Sequence, residues 1–166
     1  MTTEADRLAI MNQLGRFARI LDDREWDAVG DVFAEDIAFD YATGKDENGI
    51  QSLLQTFRRY LDECGPSQHL LGSVILTFEG DEAVTRAYVM ARHQGKGAKA
   101  DRFFDGSGEY IDRWQRRGDR WLVVRRDARW FMNMGDFSVL LPEGEKFVLT
   151  PSGSGNAMNW TVTGED

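Results

Sequence analysis

His69 and His93 are the only two histidines in this 166-residue chain, and imidazole is the side chain best suited to exchanging a proton near neutral pH. His69 lies in Ser67-Gln68-His69-Leu70-Leu71, where a loop runs into an apolar strand. Asp22-Asp23 ends the first amphipathic segment. A fold that joins Asp22 to His69 would create a carboxylate-oriented imidazole in apolar surroundings, the minimum equipment for general acid–base chemistry. His93 closes a stripe of small residues, Ala83, Thr85, Ala87, Val89 and Ala91, whose shared face leaves room for a ligand. On the preceding strand, alternation predicts one face for His69, Leu71, Ser73, Ile75 and Thr77. The turn over 79–82 then sets both histidines at one end of a hairpin, pointing inward as neighbours.

Each of these residues also has a purely structural use. A histidine on an apolar face can be a satisfied core residue. Asp22 or Asp23 can cap or solvate a helix end, and Asp23 is the better cap. Tyr41, on the short alternating run Ile37–Tyr41, can be core. Arg125, Arg126 and Arg129 read as a solvated or ion-paired face, with Arg129 best placed for a pocket because Trp130, Phe131 and Met132 follow it. Gly106-Ser107-Gly108 lies within strand residues and opens no helix, so it is not a phosphate loop. No Cys/His cluster has metal spacing, and neither a metal nor a cofactor is expected.

The elements that must position these groups are legible from periodicity. Leu8, Met11, Leu14, Phe17, Ala18 and Leu21 recur at helical spacing, which predicts a helix over about 4–21 with Thr3 and Asp6 at its start. A short helix carrying Trp26, Val29 and Phe33 is predicted next, with Asp23 as its cap, and then the strand 37–41. Ile50, Leu53, Leu54, Phe57 and Leu61 mark a third helix, ended by Gly65-Pro66. Beyond it the period changes to two. Strands are predicted over 70–78, 83–93, 103–115 and 121–133, with Arg116-Arg117-Gly118-Asp119 as a hairpin turn. Helices followed by an antiparallel meander indicate an α+β fold, with the helices covering one face of the sheet. The tail over 142–166 contains the flexible-looking run Thr150–Asn156, yet it also carries Phe147, Val148, Leu149, Met158 and Trp160. That apolar surface is expected to dock on its own domain, 1–141, or on a neighbouring subunit.

Composition narrows the partners. A net charge of −8, with no basic stripe, argues against nucleic acid. The single cysteine, Cys64, excludes an internal disulfide and fits a reducing compartment. No apolar run reaches the ~20 residues of a membrane span, and the first residues lack signal-peptide character, so a cytoplasmic location without membrane contact is expected.

Taken in order, Asp22, Trp26, Phe39-Asp40-Tyr41, Ser67-Gln68-His69, Arg92-His93-Gln94, Gly118-Asp119-Arg120-Trp121 and Arg129-Trp130 resemble the SnoaL-like group of the nuclear-transport-factor-2-like superfamily, and within it the scytalone dehydratase type. The resemblance spans roughly residues 4–141. It implies a cone-shaped, strongly curved antiparallel sheet with about three N-terminal helices closing an internal apolar pocket, the cystatin-like arrangement. It further implies that Asp22 orients His69, with His93 and Tyr41 matching the second histidine and the strand tyrosine of the dehydratases. One further dehydratase tyrosine falls on Leu21, and the substrate-binding asparagine falls on Tyr110. These departures argue against scytalone itself as the substrate.

The expected catalytic set is therefore His69, Asp22, Tyr41 and His93. Phe17, Trp26, Phe39, Phe57, Tyr110, Arg129 and Trp130 are the expected substrate-binding residues. The activity implied is that of a cofactor-free, dehydratase-like lyase acting on a hydrophobic cyclic hydroxy-carbonyl or aromatic small molecule. The same pocket would also suit an isomerase, a polyketide cyclase or an epoxide hydrolase. The superfamily further contains non-catalytic binding modules and the small assembly subunits of ring-hydroxylating oxygenases. A homo-oligomer is expected, a trimer ahead of a dimer, because a curved sheet exposes a convex face.

Overall fold

Thr3 and Asp6 form a reciprocal capping box, and from it helix α1 runs over Glu4–Asp23. The structure is a computed structural model that describes the backbone of residues 3–153 and 159–164. One face of α1, including Ile10, Leu14, Phe17 and Leu21, is buried. The helix ends at Arg24, whose φ of 57° lies in the left-handed region that stops a helix. The short helix that follows is a 3-10 turn over Trp26–Asp31 with no side-chain cap, so the expected Asp23 cap is not made. Phe33 belongs to strand β1, Phe33–Tyr41, and not to that short helix. A two-residue strand β2, Glu47–Asn48, precedes helix α2, Ile50–Leu61, which buries Leu53, Phe57 and Leu61.

Four long strands follow: β3 (Ser67–Glu79), β4 (Glu82–Gln94), β5 (Phe103–Arg117) and β6 (Arg120–Gly135). They pair antiparallel in chain order, and the sheet order is β2-β1-β6-β5-β4-β3. β1 joins β6 in parallel, so this curved sheet is mixed and not wholly antiparallel. Both helices lie over the concave face, α1 beside β3 and α2 beside β1. The result is the α+β arrangement that the helix-then-meander pattern predicts.

Bulges alter which residues face inward. On β3 the register shifts between Gly72 and Ile75, where Ser73 adopts a φ of 49°. One extra residue inverts the alternation. His69 and Leu71 face inward as expected, but beyond the bulge Val74, Leu76 and Phe78 are the half-buried residues, while Ile75 and Thr77 are exposed. On β6 one shift falls between Val123 and Arg125 and turns Arg126 inward, and a second, between Trp130 and Met132, sets Asn133 opposite Gly106.

The tail forms a separate antiparallel pair, β7 (Phe147–Ser152) with β8 (Asn159–Gly164). β8 lies against β6, and the ring of Phe147 packs 5.0 Å from that of Phe137. Residues 154–158, including part of the expected flexible run and Met158, lie outside the described residues. Among the described residues no helix is long and apolar enough to cross a membrane.

Candidate active site

The end of α1 and the start of β3 meet through Asp22. Its Oδ1 lies 2.7 Å from His69 Nδ1, and both its oxygens accept the His69 backbone N–H at 3.1 Å. A carboxylate can only accept, so Nδ1 carries a proton, and in the neutral ring Nε2 keeps its lone pair. Both side chains are largely withdrawn from solvent. Arg24 holds this junction from behind. Its guanidinium donates to Ser67 Oγ at 2.7 Å, to Gly65 O and Cys64 Sγ at 3.1 Å each, and to Asp22 O at 3.2 Å. Its Nε donates to Leu61 O at 2.9 Å. One side chain thus ties the ends of α1 and α2 to the loop that launches β3. Sequence reading missed Arg24, because nothing in a single arginine after Asp-Asp announces a left-handed hub.

His69 pairs across the sheet with Ala91, and Ser67 pairs with His93. The two imidazoles meet edge to face with centroids 5.4 Å apart. His93 Nδ1 donates to the backbone oxygen of Phe104 at 3.2 Å, which leaves its Nε2 as an acceptor. Burial, reinforced by the neighbouring His69, pushes the His93 pKa down to about 4, so this ring is neutral at pH 7.

Both histidines line a mostly apolar cavity between the sheet, α2 and the tail, with about 130 Å³ of space that the centre of a water molecule can occupy. Tyr41, Phe57, Tyr110 and Trp130 line it as well. Gly108 and Gly106 make the seat for Trp130. A Cβ on Gly108 would fall 1.9 Å from Arg129 O and 3.0 Å from the indole, and one on Gly106 would sit 3.5 Å from the indole.

Tyr41 presents its hydroxyl in a defined way. Arg126 Nη1 donates to its oxygen at 3.3 Å, and the Tyr110 hydroxyl also bonds to it. Burial raises the pKa of Tyr41 despite the nearby guanidinium, so the hydroxyl stays protonated and its hydrogen remains available to a ligand. Burial raises Tyr110 further, with Tyr41 beside it adding to the effect.

Arg126 is fully buried and forks onto Asp112, with both contacts at 2.6 Å. Its guanidinium lies 4.0 Å from the Phe17 ring centroid and 4.4 Å from that of Tyr110. Burial works to lower its pKa, but the Asp112 carboxylate outweighs that and raises it. Of the solvated or ion-paired face expected of the three arginines of β6, Arg126 has the ion pair but is buried away from solvent. The signal available in sequence was Asp112, which alternates with Tyr110 and Trp114 on an inward face and so required a cationic partner.

Four expected pocket residues lie elsewhere. Phe17 and Phe39 are core, fully buried behind the cavity wall. Trp26 donates from Nε1 to Asp62 Oδ1 at 3.0 Å and packs the helices together. Arg129 pairs with Glu109 across the sheet, on the face opposite to that of Ala128 and Trp130.

Solved structures share this fold, among them the following three. The chain is 29% identical to an aromatic ring hydroxylase candidate from Novosphingobium aromaticivorans, with a TM-score of 0.73, covering 84% of this chain and 99% of that one. A scytalone dehydratase candidate from the same organism is 20% identical, with a TM-score of 0.66, covering 78% and 87% of the two chains. The hexachlorocyclohexane dehydrochlorinase LinA-type3 of Novosphingobium barchaimii is 14% identical, with a TM-score of 0.70, covering 80% and 90%. A SnoaL-like domain model matches residues 2–127, and with three quarters of its length in that match the chain belongs to the SnoaL-like family.

Proposed function

We propose that this protein is a dehydratase-like lyase that removes a proton and a leaving group from a hydrophobic cyclic hydroxy-carbonyl or aromatic small molecule. The 2.7 Å contact between Asp22 and His69 Nδ1, beside an apolar cavity, carries this reading. His69 Nε2 takes the proton adjacent to the carbonyl. Asp22 fixes the tautomer and stabilises the imidazolium that forms. Tyr41 donates its hydrogen bond to the substrate carbonyl, where negative charge gathers as the C–H bond breaks. His93, neutral and accepting at Nε2, orients the hydroxyl that departs, and the His69 imidazolium returns the abstracted proton to that oxygen, so that water leaves as the C–O bond breaks and His69 is neutral again. Such an elimination needs placed acids and bases, and these four residues supply them without a cofactor. Neighbours of the same fold named for dehydration and dehydrochlorination, both eliminations, agree with this outcome. A purely assembly role would have no use for an imidazole whose Nε2 is turned to a cavity by the Asp22 contact.

The test is a panel of cyclic β-hydroxy ketones followed by the ultraviolet absorbance of the enone product. His69→Ala and Asp22→Ala are expected to abolish turnover; the melting temperature stays near that of the native protein in His69→Ala, and falls in Asp22→Ala, which also frees the His69 backbone N–H. Retained turnover in both variants overturns the proposal. Rearranged or ring-closed products without loss of water would assign the same pocket to an isomerase or a cyclase.

A further inference from the structure

The cavity has a second polar end, remote from His69. The cross-strand row through His69 continues to Ala91 on β4, Gly106 on β5 and Asn133 on β6. Directly paired residues share a face, so Asn133 looks into the same concavity as His69. Ala91 and Gly106, the two residues between them, are the smallest on the cavity floor and leave the row open. Three strand spacings separate its ends, roughly 14 Å along the backbone, and the curvature of the sheet draws the side chains closer.

On the wall of this cavity the described residues leave two buried donors without partners. They are Asn133 Nδ2 and Trp160 Nε1, and both residues line the cavity. Away from the histidines and the Tyr41 hydroxyl hydrogen, several polar groups of the lining are engaged. Thr43 Oγ1 bonds Asp40, Thr56 Oγ1 donates to Ser52 O, and Tyr41 is held by Arg126. A buried N–H without an acceptor is costly, so two of them on the wall of one cavity mark the place of a missing acceptor. Trp160 comes from β8, so the tail contributes a recognition group as well as apolar cover.

We infer that Asn133 and Trp160 form a donor pair that receives an oxygen acceptor on the end of the substrate remote from the reacting carbon. This rests on the reading of the cavity as a substrate site, and it narrows the substrate class. The ligand is a fused-ring compound with one carbonyl or hydroxyl at the His69–Tyr41 end and a second oxygen on its far ring. A hydrocarbon far ring would leave both N–H groups unpaired.

The experiment compares 1-tetralone with 6-hydroxy-1-tetralone, which adds an oxygen to the far ring, by calorimetric titration. The native protein is expected to bind the hydroxylated ketone about tenfold more tightly. In Trp160→Phe and in Asn133→Leu, each of which removes a donor and keeps the apolar bulk, that preference is expected to fall toward unity. Binding of 1-tetralone should persist in both, which shows that the cavity is intact. Absence of a preference in the native protein overturns the inference, as does a preference unchanged in the two variants. The comparison is independent of turnover. If His69→Ala keeps full activity while Trp160→Phe loses the preference, the acid–base reading fails and the donor pair stands. The reverse pattern removes the donor pair alone.

Discussion

Asp22 grips His69 twice, through the backbone N–H at 3.1 Å and through Nδ1 at 2.7 Å. The same carboxylate therefore sets where β3 begins and which nitrogen of its imidazole faces the cavity.

Asp22→Asn separates these two tasks. The amide oxygen can still accept the backbone N–H, but the NH₂ then faces Nδ1 and favours the tautomer with its proton on Nε2. Turnover is expected to fall by about 10²- to 10⁴-fold, with a modest change in melting temperature. Activity within tenfold of native would show that the tautomer is not under Asp22 control.

Tyr41→Phe removes the hydrogen aimed into the cavity and leaves Arg126 Nη1 and the Tyr110 hydroxyl without their shared acceptor. A fall of about 10²-fold in kcat with little change in KM is expected, because the bond strengthens as charge develops. A change confined to KM would assign Tyr41 to binding alone.

His93 makes stability depend on pH. Its pKa, pushed down by burial to about 4, lies below the ordinary value of 6.5, so between these values the unfolded chain binds more protons. Its contribution is complete above about pH 6.5 and is lost as pH falls toward 4, on the order of 2–3 kcal/mol in all. His93→Asn can still donate to Phe104 O but does not titrate. Denaturant melts across this window should show a shallower acid loss in the variant, and equal slopes would contradict the assignment.

The Arg126–Asp112 pair behaves as a buried unit. Arg126→Met leaves Asp112 charged and unpaired in the core and is expected to cost about 3–5 kcal/mol. Replacing both residues, Arg126→Met with Asp112→Leu, should recover most of that loss. Additive destabilisation in the double variant would mean that the two side chains act separately.

Much of this was readable in the chain. Helical spacing placed α1 and α2, and the two-residue period placed all four long strands to within a few residues. The stripe from Ala83 to His93 faces inward throughout because β4, between two antiparallel neighbours, carries no bulge of its own. Alternation failed where a bulge intervenes. Ser73 inverts the second half of β3, and the shift after Val123 buries Arg126 where simple parity would have buried Arg125. A bulge is settled by the fit of one strand to its neighbour, which local periodicity does not encode. Aromatic residue type was also a poor guide to the cavity. Phe17 and Phe39 serve the core, whereas Asn133 and Trp160 reach the cavity only through cross-strand register and the folding back of the tail.

The central claim is that His69 Nε2 removes a proton from carbon, and exchange of that proton measures it directly. 1-Tetralone incubated with the protein in D₂O can be followed by NMR at the carbon next to its carbonyl, whatever leaving group the natural substrate carries. The native protein is expected to accelerate deuterium incorporation, and His69→Ala to remove about 10²- to 10⁴-fold of that acceleration. Exchange at the same rate with the native protein and with His69→Ala would contradict the account.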